Sequence, residues 1–203
     1  NGAGKTTFFN CLANELKPKS MIAKFEDESG LRFLDPNDIG YVVSPPNVPD
    51  FLTGREFLEF IMDMHDMSHS KSTRDKKIET YFEYLDFDEE DHNKLMKDYS
   101  HGMKNKMQMI VNIITNPKIL FLDEPLTTLD VVMAEKMKEM LRSMKQDYIV
   151  IFSTHIMELA LDLCDEIVLL HKGKMELLPL DSLDHKDQKD RIIKALSKGD
   201  EDA

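Results

Sequence analysis

Apolar residues in this chain fall into two kinds of pattern. Ile39-Gly40-Tyr41-Val42-Val43, Ile119-Leu120-Phe121-Leu122 and Tyr148 to Phe152 are short unbroken runs. They lack the alternation of a half-solvated strand and predict strands buried on both faces. Weaker strands are expected at Met21 to Phe25 and Leu31 to Leu34, around a polar turn at Glu26 to Gly30. Glu166 to Leu170 and Lys174 to Leu178 should pair as a hairpin across His171-Lys172-Gly173. Elsewhere the apolar positions recur every third or fourth residue. Phe8, Phe9, Leu12 and Leu16 predict a helix over Lys5 to Leu16, stopped by Lys17-Pro18. Thr53 with Glu56 forms a capping box opening a helix that runs to about His65. Ile78, Tyr81, Phe82 and Leu85 make a stripe over Lys76 to Leu85, with Ser68 to Thr73 as polar linker before it. Ser100 suits the cap of a helix from His101 to Thr115, whose inner face carries Met103, Met107, Ile110, Val111 and Ile114. A further helix is expected after Asp130, to about Lys145.

The order of these elements points to an α/β chain with a helical insertion. Strands dominate residues 1–50 and 117–180, whereas 51–116 carry only helical signals and 181–203 form a charged tail, read as a loosely held helix with a frayed tip. With 203 residues there is enough chain for one compact domain with an inserted lobe. The formal charge of −12 argues against a nucleic-acid surface. Cys11 and Cys164 lie far apart without metal-ligand spacing, so two buried free thiols in a reducing compartment are expected. No apolar run approaches the roughly 20 residues that cross a bilayer, so a membrane role would come through a partner.

Chemistry concentrates at two places. Ile119 to Leu122 is stopped by Asp123-Glu124-Pro125, a buried strand delivering two carboxylates at its carboxyl end, where ligands bind in an open parallel sheet. Asp123 suits a metal held through its water shell, and Glu124 the orienting or deprotonation of an attacking water. On its own the motif is equally a buried strand ending in an acidic turn. At the other place, Asn1-Gly2-Ala3-Gly4-Lys5-Thr6-Thr7 ends in Gly-Lys-Thr running into a helix, the close of a phosphate-binding loop. Its glycines let backbone N–H groups crowd phosphate oxygens, the helix start favours an anion, Lys5 adds charge at the outer phosphates, and the Thr6 hydroxyl can ligate Mg2+. Such a loop must be fed by a strand, so strands preceding Asn1 are expected. Ser153-Thr154-His155 follows the strand at Tyr148 to Phe152, placing a histidine where a phosphate would stand.

Taken together, Gly2-Ala3-Gly4-Lys5-Thr6-Thr7, Tyr99-Ser100-His101-Gly102, Leu122-Asp123-Glu124-Pro125, Leu129-Asp130 and Ser153-Thr154-His155 resemble, in the family's order, the nucleotide-binding subunit of an ABC transporter. The resemblance covers essentially the whole chain. It implies a P-loop NTPase core with a mainly parallel sheet plus an inserted all-helical subdomain. It also implies ATP with Mg2+ as cofactors, a second ABC ATPase subunit with which two ATP molecules are sandwiched, and a membrane permease as partner at the cytoplasmic face of the cell membrane. Carried over by position, Asn1 to Thr7 would bind the phosphates, Thr6 and Asp123 the metal, Glu124 would act as general base and His155 would contact the γ-phosphate. Ser100, His101 and Gly102 would cap the γ-phosphate of the other subunit, and Asp130 would lie at the dimer contact.

Departures from the family's pattern set further expectations. Ser44 stands where a glutamine is usual and could reach the metal only through water. His101 replaces the first glycine of the signature and Met103 its final glutamine; with Ser100 and Gly102 present, the signature is expected to work. The loop-rich face from Ser44 to Phe60 is expected to dock the permease. The other readings are a soluble ABC-type ATPase and a degenerate regulatory cassette.

Overall fold

The computed structural model describes residues 2–27, 30–65, 70–127, 129, 131–171, 173–178, 189–190 and 192. The expectations for Asn1, Asp130, most of the Ser68 to Thr73 linker's first half and nearly all of the 181–203 tail therefore lie outside the described residues. Helix α1 (Lys5–Leu12) follows the glycine-rich turn and stops a turn earlier than the apolar spacing predicts. Asn14 takes a left-handed conformation (φ 62°), and the N–H groups of Glu15 and Leu16 both turn back to the Asn10 carbonyl, at 2.8 and 3.0 Å. Asparagine tolerates that conformation better than most residues and so ends a helix that pattern alone would extend. Strands β1 (Lys24–Asp27) and β2 (Gly30–Phe33) pair antiparallel, and β3 (Ile39–Val42) leads into a cis Ser44–Pro45 peptide.

Helices follow. The box at the start of α2 (Gly54–Met64) is reciprocal: the Thr53 N–H donates to Glu56 Oε2 at 2.8 Å and the Glu56 N–H to Thr53 Oγ1 at 3.2 Å. Helix α3 (Lys71–Tyr84) begins before its apolar stripe because the Ser70 hydroxyl accepts from the Thr73 N–H, so the polar residues 71–73 are helix rather than linker. Helix α4 (His101–Thr115) starts at Ser100, whose Oγ accepts from the Met103 N–H at 3.2 Å. It is buried on more than the expected stripe: Asn105, Lys106, Gln108 and Asn112 are covered along with Met107, Ile110 and Ile114. Wedged between the other helices and the sheet, it holds the end of β3 through the Gln108 amide, which accepts from the Val43 N–H and donates to the Val43 carbonyl.

The chain then forms β4 (Ile119–Asp123), α5 (Val131–Met144), β5 (Ile149–Ser153), α6 (Met157–Leu163) and an antiparallel hairpin of β6 (Ile167–His171) with β7 (Lys174–Leu178). Among the described residues β3, β4 and β5 form a parallel sheet in that order, with Asp123 opposite Ser153. Leu120 and Leu122 face a large core shared with α2 to α6, while Ile119 and Phe121 face α1, where Phe9 stacks on Phe121 at 5.0 Å. Central β4 is buried throughout, as its unbroken apolar run predicts. Strand β5 is not: it is the edge of the described sheet, and Ile149 and Ile151, on the α1 face, are 48% and 40% exposed because α1 covers β3 and β4 but does not reach them. Cys11 and Cys164 are free but only partly buried, against the expectation of two buried thiols. Burial still pushes the Cys164 thiol up to about 11. In the tail, Ile192 is buried against β6 and β7 and Lys189 pairs with Glu158 at 2.6 Å.

Candidate functional site

Gly2 and Gly4 take φ of 80° and 100°, in the left-handed region where a side chain would be strained, and open space surrounds both. Gly4 caps α1 with no side-chain acceptor, so the N–H groups of the first turn are presented outward with the positive end of the helix dipole. The turn faces the carboxyl end of β4, because Phe9 locks α1 against Phe121 two residues before Asp123. Gly2 to Thr7 together with Ser44, Asp123 and Glu124 line one polar cavity of about 330 Å3.

Asp123 is only 4% exposed, and both its oxygens accept: Thr6 Oγ1 donates to Oδ2 at 2.6 Å and Ser153 Oγ to Oδ1 at 2.5 Å. Such bonds satisfy the oxygens of a carboxyl group that the fold buries. Thr6 and Asp123 thus offer adjacent hard oxygen donors, the set Mg2+ takes when it keeps water and phosphate oxygens as its other ligands. Negative charge here is felt by Tyr41 on β3, whose phenol is pushed up to about 12 by burial, by Asp123 and by Glu15.

Glu124 holds φ 52°, unusual for a residue with a side chain, and its N–H donates to the Ser153 carbonyl at 3.1 Å and hydroxyl at 3.3 Å. A non-glycine residue kept in this region at a strand end turns its side chain out of line with the strand. The carboxylate meets Lys5 Nζ at 3.5 Å, accepts from His155 Nδ1 at 2.9 Å and accepts from Thr127 Oγ1 at 3.0 Å. Burial alone would push the Glu124 carboxyl up; the bonds from His155 and Thr127 and the charges of His155 and Lys5 outweigh it and hold the group below the usual carboxylate value. An ionised carboxylate bonded to a half-exposed histidine, beside an ammonium and a cluster of outward N–H groups, can orient a water against a bound phosphate.

The structure thus gathers Gly2, Ala3, Gly4, Lys5, Thr6, Thr7, Ser44, Asp123 and Glu124, with His155 joined through Glu124. Ser100, His101 and Gly102 stand apart from that cavity, at the start of α4, where Gly102 packs against Leu129. Ser153 and Thr127 were not singled out from sequence. The signal for Ser153 was there: it closes the apolar run of β5 as Asp123 closes that of β4, so parallel pairing brings the two side by side.

Comparisons with known proteins show what the chain is similar to. The family described as ABC transporter matches residues 1–127. The ABC transporter ATP-binding protein YxlF of Bacillus subtilis is 34% identical over 175 residues, covering 86% of this chain and 57% of its own length. The chain spans a little over half the length of the curated relatives it matches. Among solved structures, the dimeric post-hydrolysis state of the ATP-binding cassette MJ0796 bound to ADP and Pi superposes with TM-score 0.72 at 22% identity, covering 87% of this chain and 82% of that one. The cassette cbiO1 of Clostridium perfringens, part of the complex cbiONQ, gives 0.69 at 21% identity, with 97% and 78% covered. These two likenesses establish the fold, an α/β fold with a P-loop core.

Proposed function

This chain belongs to the ABC transporter family, and from that premise we propose that it is an ATP-binding subunit that hydrolyses ATP to drive substrate transport through a separate membrane permease. The observation that carries the reading is the meeting of Thr6 with Asp123 and of Lys5 with Glu124, residues more than a hundred positions apart, at the rim of one parallel sheet. In this reading the N–H groups of the Gly2 to Thr7 turn and the Lys5 ammonium bind the β- and γ-phosphates. Thr6 and Asp123 would hold Mg2+, which Ser44 could reach only through water; the ion would supply charge neutralisation at the phosphate oxygens. Glu124 orients the attacking water and accepts its proton. His155 steadies Glu124 from Nδ1 and extends toward the γ-phosphate. Catalysis is then positioning and charge neutralisation around a transferring phosphoryl group.

Ser100, His101 and Gly102, outside this cavity, serve the nucleotide of a second cassette, with Asp130 at the contact between the two. That the MJ0796 cassette forms a dimer with ADP and Pi supports this arrangement. Membrane attachment comes through the permease, at the cytoplasmic face: no helix among the described residues is long and apolar enough to cross a bilayer. Phe51, Phe60 and Met64 are 78%, 53% and 65% exposed around the start and outer face of α2, an apolar surface suited to that partner. Calorimetric titration of the intact protein with ATP tests the site. Lys5→Ala is expected to weaken binding by roughly tenfold or more, as loss of a charge-assisted contact does; unchanged affinity would remove the loop from phosphate binding.

A further inference from the structure

Away from the nucleotide site, the end of α3 and the flanks of α4 and α5 form an open cleft of about 310 Å3. Its apolar wall is Leu85, Met137 and Met140, and at one side Tyr84 and Ser143 bond hydroxyl to hydroxyl at 3.3 Å. Lys106 reaches in from α4. That lysine is only 8% exposed, yet among the described residues its ammonium finds a single acceptor, the Asp86 carbonyl at 2.9 Å, with the Phe87 ring 5.2 Å away. An ammonium has three N–H donors, so with one protein acceptor Lys106 presents donors to whatever fills the cleft. Burial pulls the Lys106 amine below its usual value. The neighbouring Lys136 does not share this condition, because it is already paired with the Asp86 carboxylate.

We propose that this cleft binds a small amphipathic carboxylate, its head group on Lys106 and its apolar tail along Leu85, Met137 and Met140. The charges on the lining favour this class. Lys136 is paired with the Asp86 carboxylate, whereas Lys106 bonds only a backbone carbonyl, so a single carboxylate head group would pair with Lys106, while a phosphate dianion would set a second charge beside Asp86 and Glu139. The size is at the lower end of ligand cavities, which run from about 300 Å3 upward, and suits a short chain. An occupant would touch α3, α4 and α5 at once, joining the helix that starts at Ser100 to the one that follows the acidic strand. The proposal is independent of nucleotide binding.

Calorimetry on the purified protein, with octanoate, octanol and inorganic phosphate as probes, tests it. Octanoate is expected to bind saturably and more tightly than octanol or phosphate. Lys106→Met, close in volume, should weaken octanoate by roughly tenfold or more and change octanol by less than about twofold. Met140→Trp, which fills the cleft and leaves Lys106 in place, should weaken both, and it decides the matter should Lys106→Met fail to fold. Absence of octanoate binding, equal affinity in Lys106→Met, undiminished binding in Met140→Trp or preference for phosphate would each overturn the assignment.

Discussion

Asp123 has a hydroxyl on each carboxylate oxygen, and Ser153 does double duty by also accepting from the Glu124 N–H. Ser153→Ala should therefore leave a buried carboxylate oxygen short of a partner and destabilise the fold by about 1–3 kcal/mol. A lower urea midpoint with unchanged slope would register it; an unshifted midpoint would mean that Thr6 alone suffices. Glu124 gives a pH prediction. Its folded-state carboxyl is held below the ordinary 4.5, the upward push of burial being outweighed by His155, Thr127 and Lys5. The ionised form is thus the favoured one in the fold, and its stabilisation is present above the unfolded value and lost as pH falls through the lower folded value. The stability gap between wild type and Glu124→Gln should stay constant in thermal melts from about pH 7 to about pH 5 and narrow as pH falls below about 4.5; a gap that does not narrow there would contradict the assignment. At this scale the meeting of Lys5, Thr6, Asp123, Glu124 and His155 was legible, because the phosphate chemistry expected of their motifs restricts residue type and order. Ser153 was legible only once β4 and β5 were paired in parallel, since it meets Asp123 through cross-strand register, and Thr127 was not, because it acts through a turn in which it bonds back to Glu124.

Among elements, the join between α1 and β4 sets the distance from loop to carboxylates. Phe121 is buried and stacked on Phe9, so Phe121→Ala should cost about 3–5 kcal/mol and weaken ATP binding as the loop loses its seat. Melting temperature and calorimetry together check this; a stable variant with full affinity would show that α1 is held elsewhere. Element boundaries were readable where a side chain writes them. The Thr53 and Glu56 box fixes the start of α2, and Ser100 fixes that of α4. The end of α1 was not readable, since it depends on Asn14 adopting a left-handed conformation within an apolar spacing that would carry the helix on. Nor was the exposure of Ile149 and Ile151. An apolar run says that a strand can be covered on both faces, but what covers it is decided by where α1 lies.

For the whole molecule, the α/β architecture followed from the alternation of unbroken apolar runs with a long helical stretch, and the cavity proposed here for the nucleotide lies at the carboxyl rim of the parallel sheet. The exposed Phe60 and Met64 lie on α2 and Phe51 just before it, and none of the three lines the cavity beside Asp123; in the proposed reading they form the surface for the permease. Phe60→Asp should abolish co-purification of the full-length protein with a polytopic membrane protein and leave ATP affinity intact; undiminished co-purification would move the docking surface elsewhere. Most direct of all is ATP turnover by the intact protein and its Glu124→Gln variant, followed with nucleotide binding and oligomeric state. The account predicts that the variant binds ATP, loses phosphate release by roughly a hundredfold or more and accumulates as an ATP-bound dimer. Hydrolysis at the wild-type rate in that variant would contradict it.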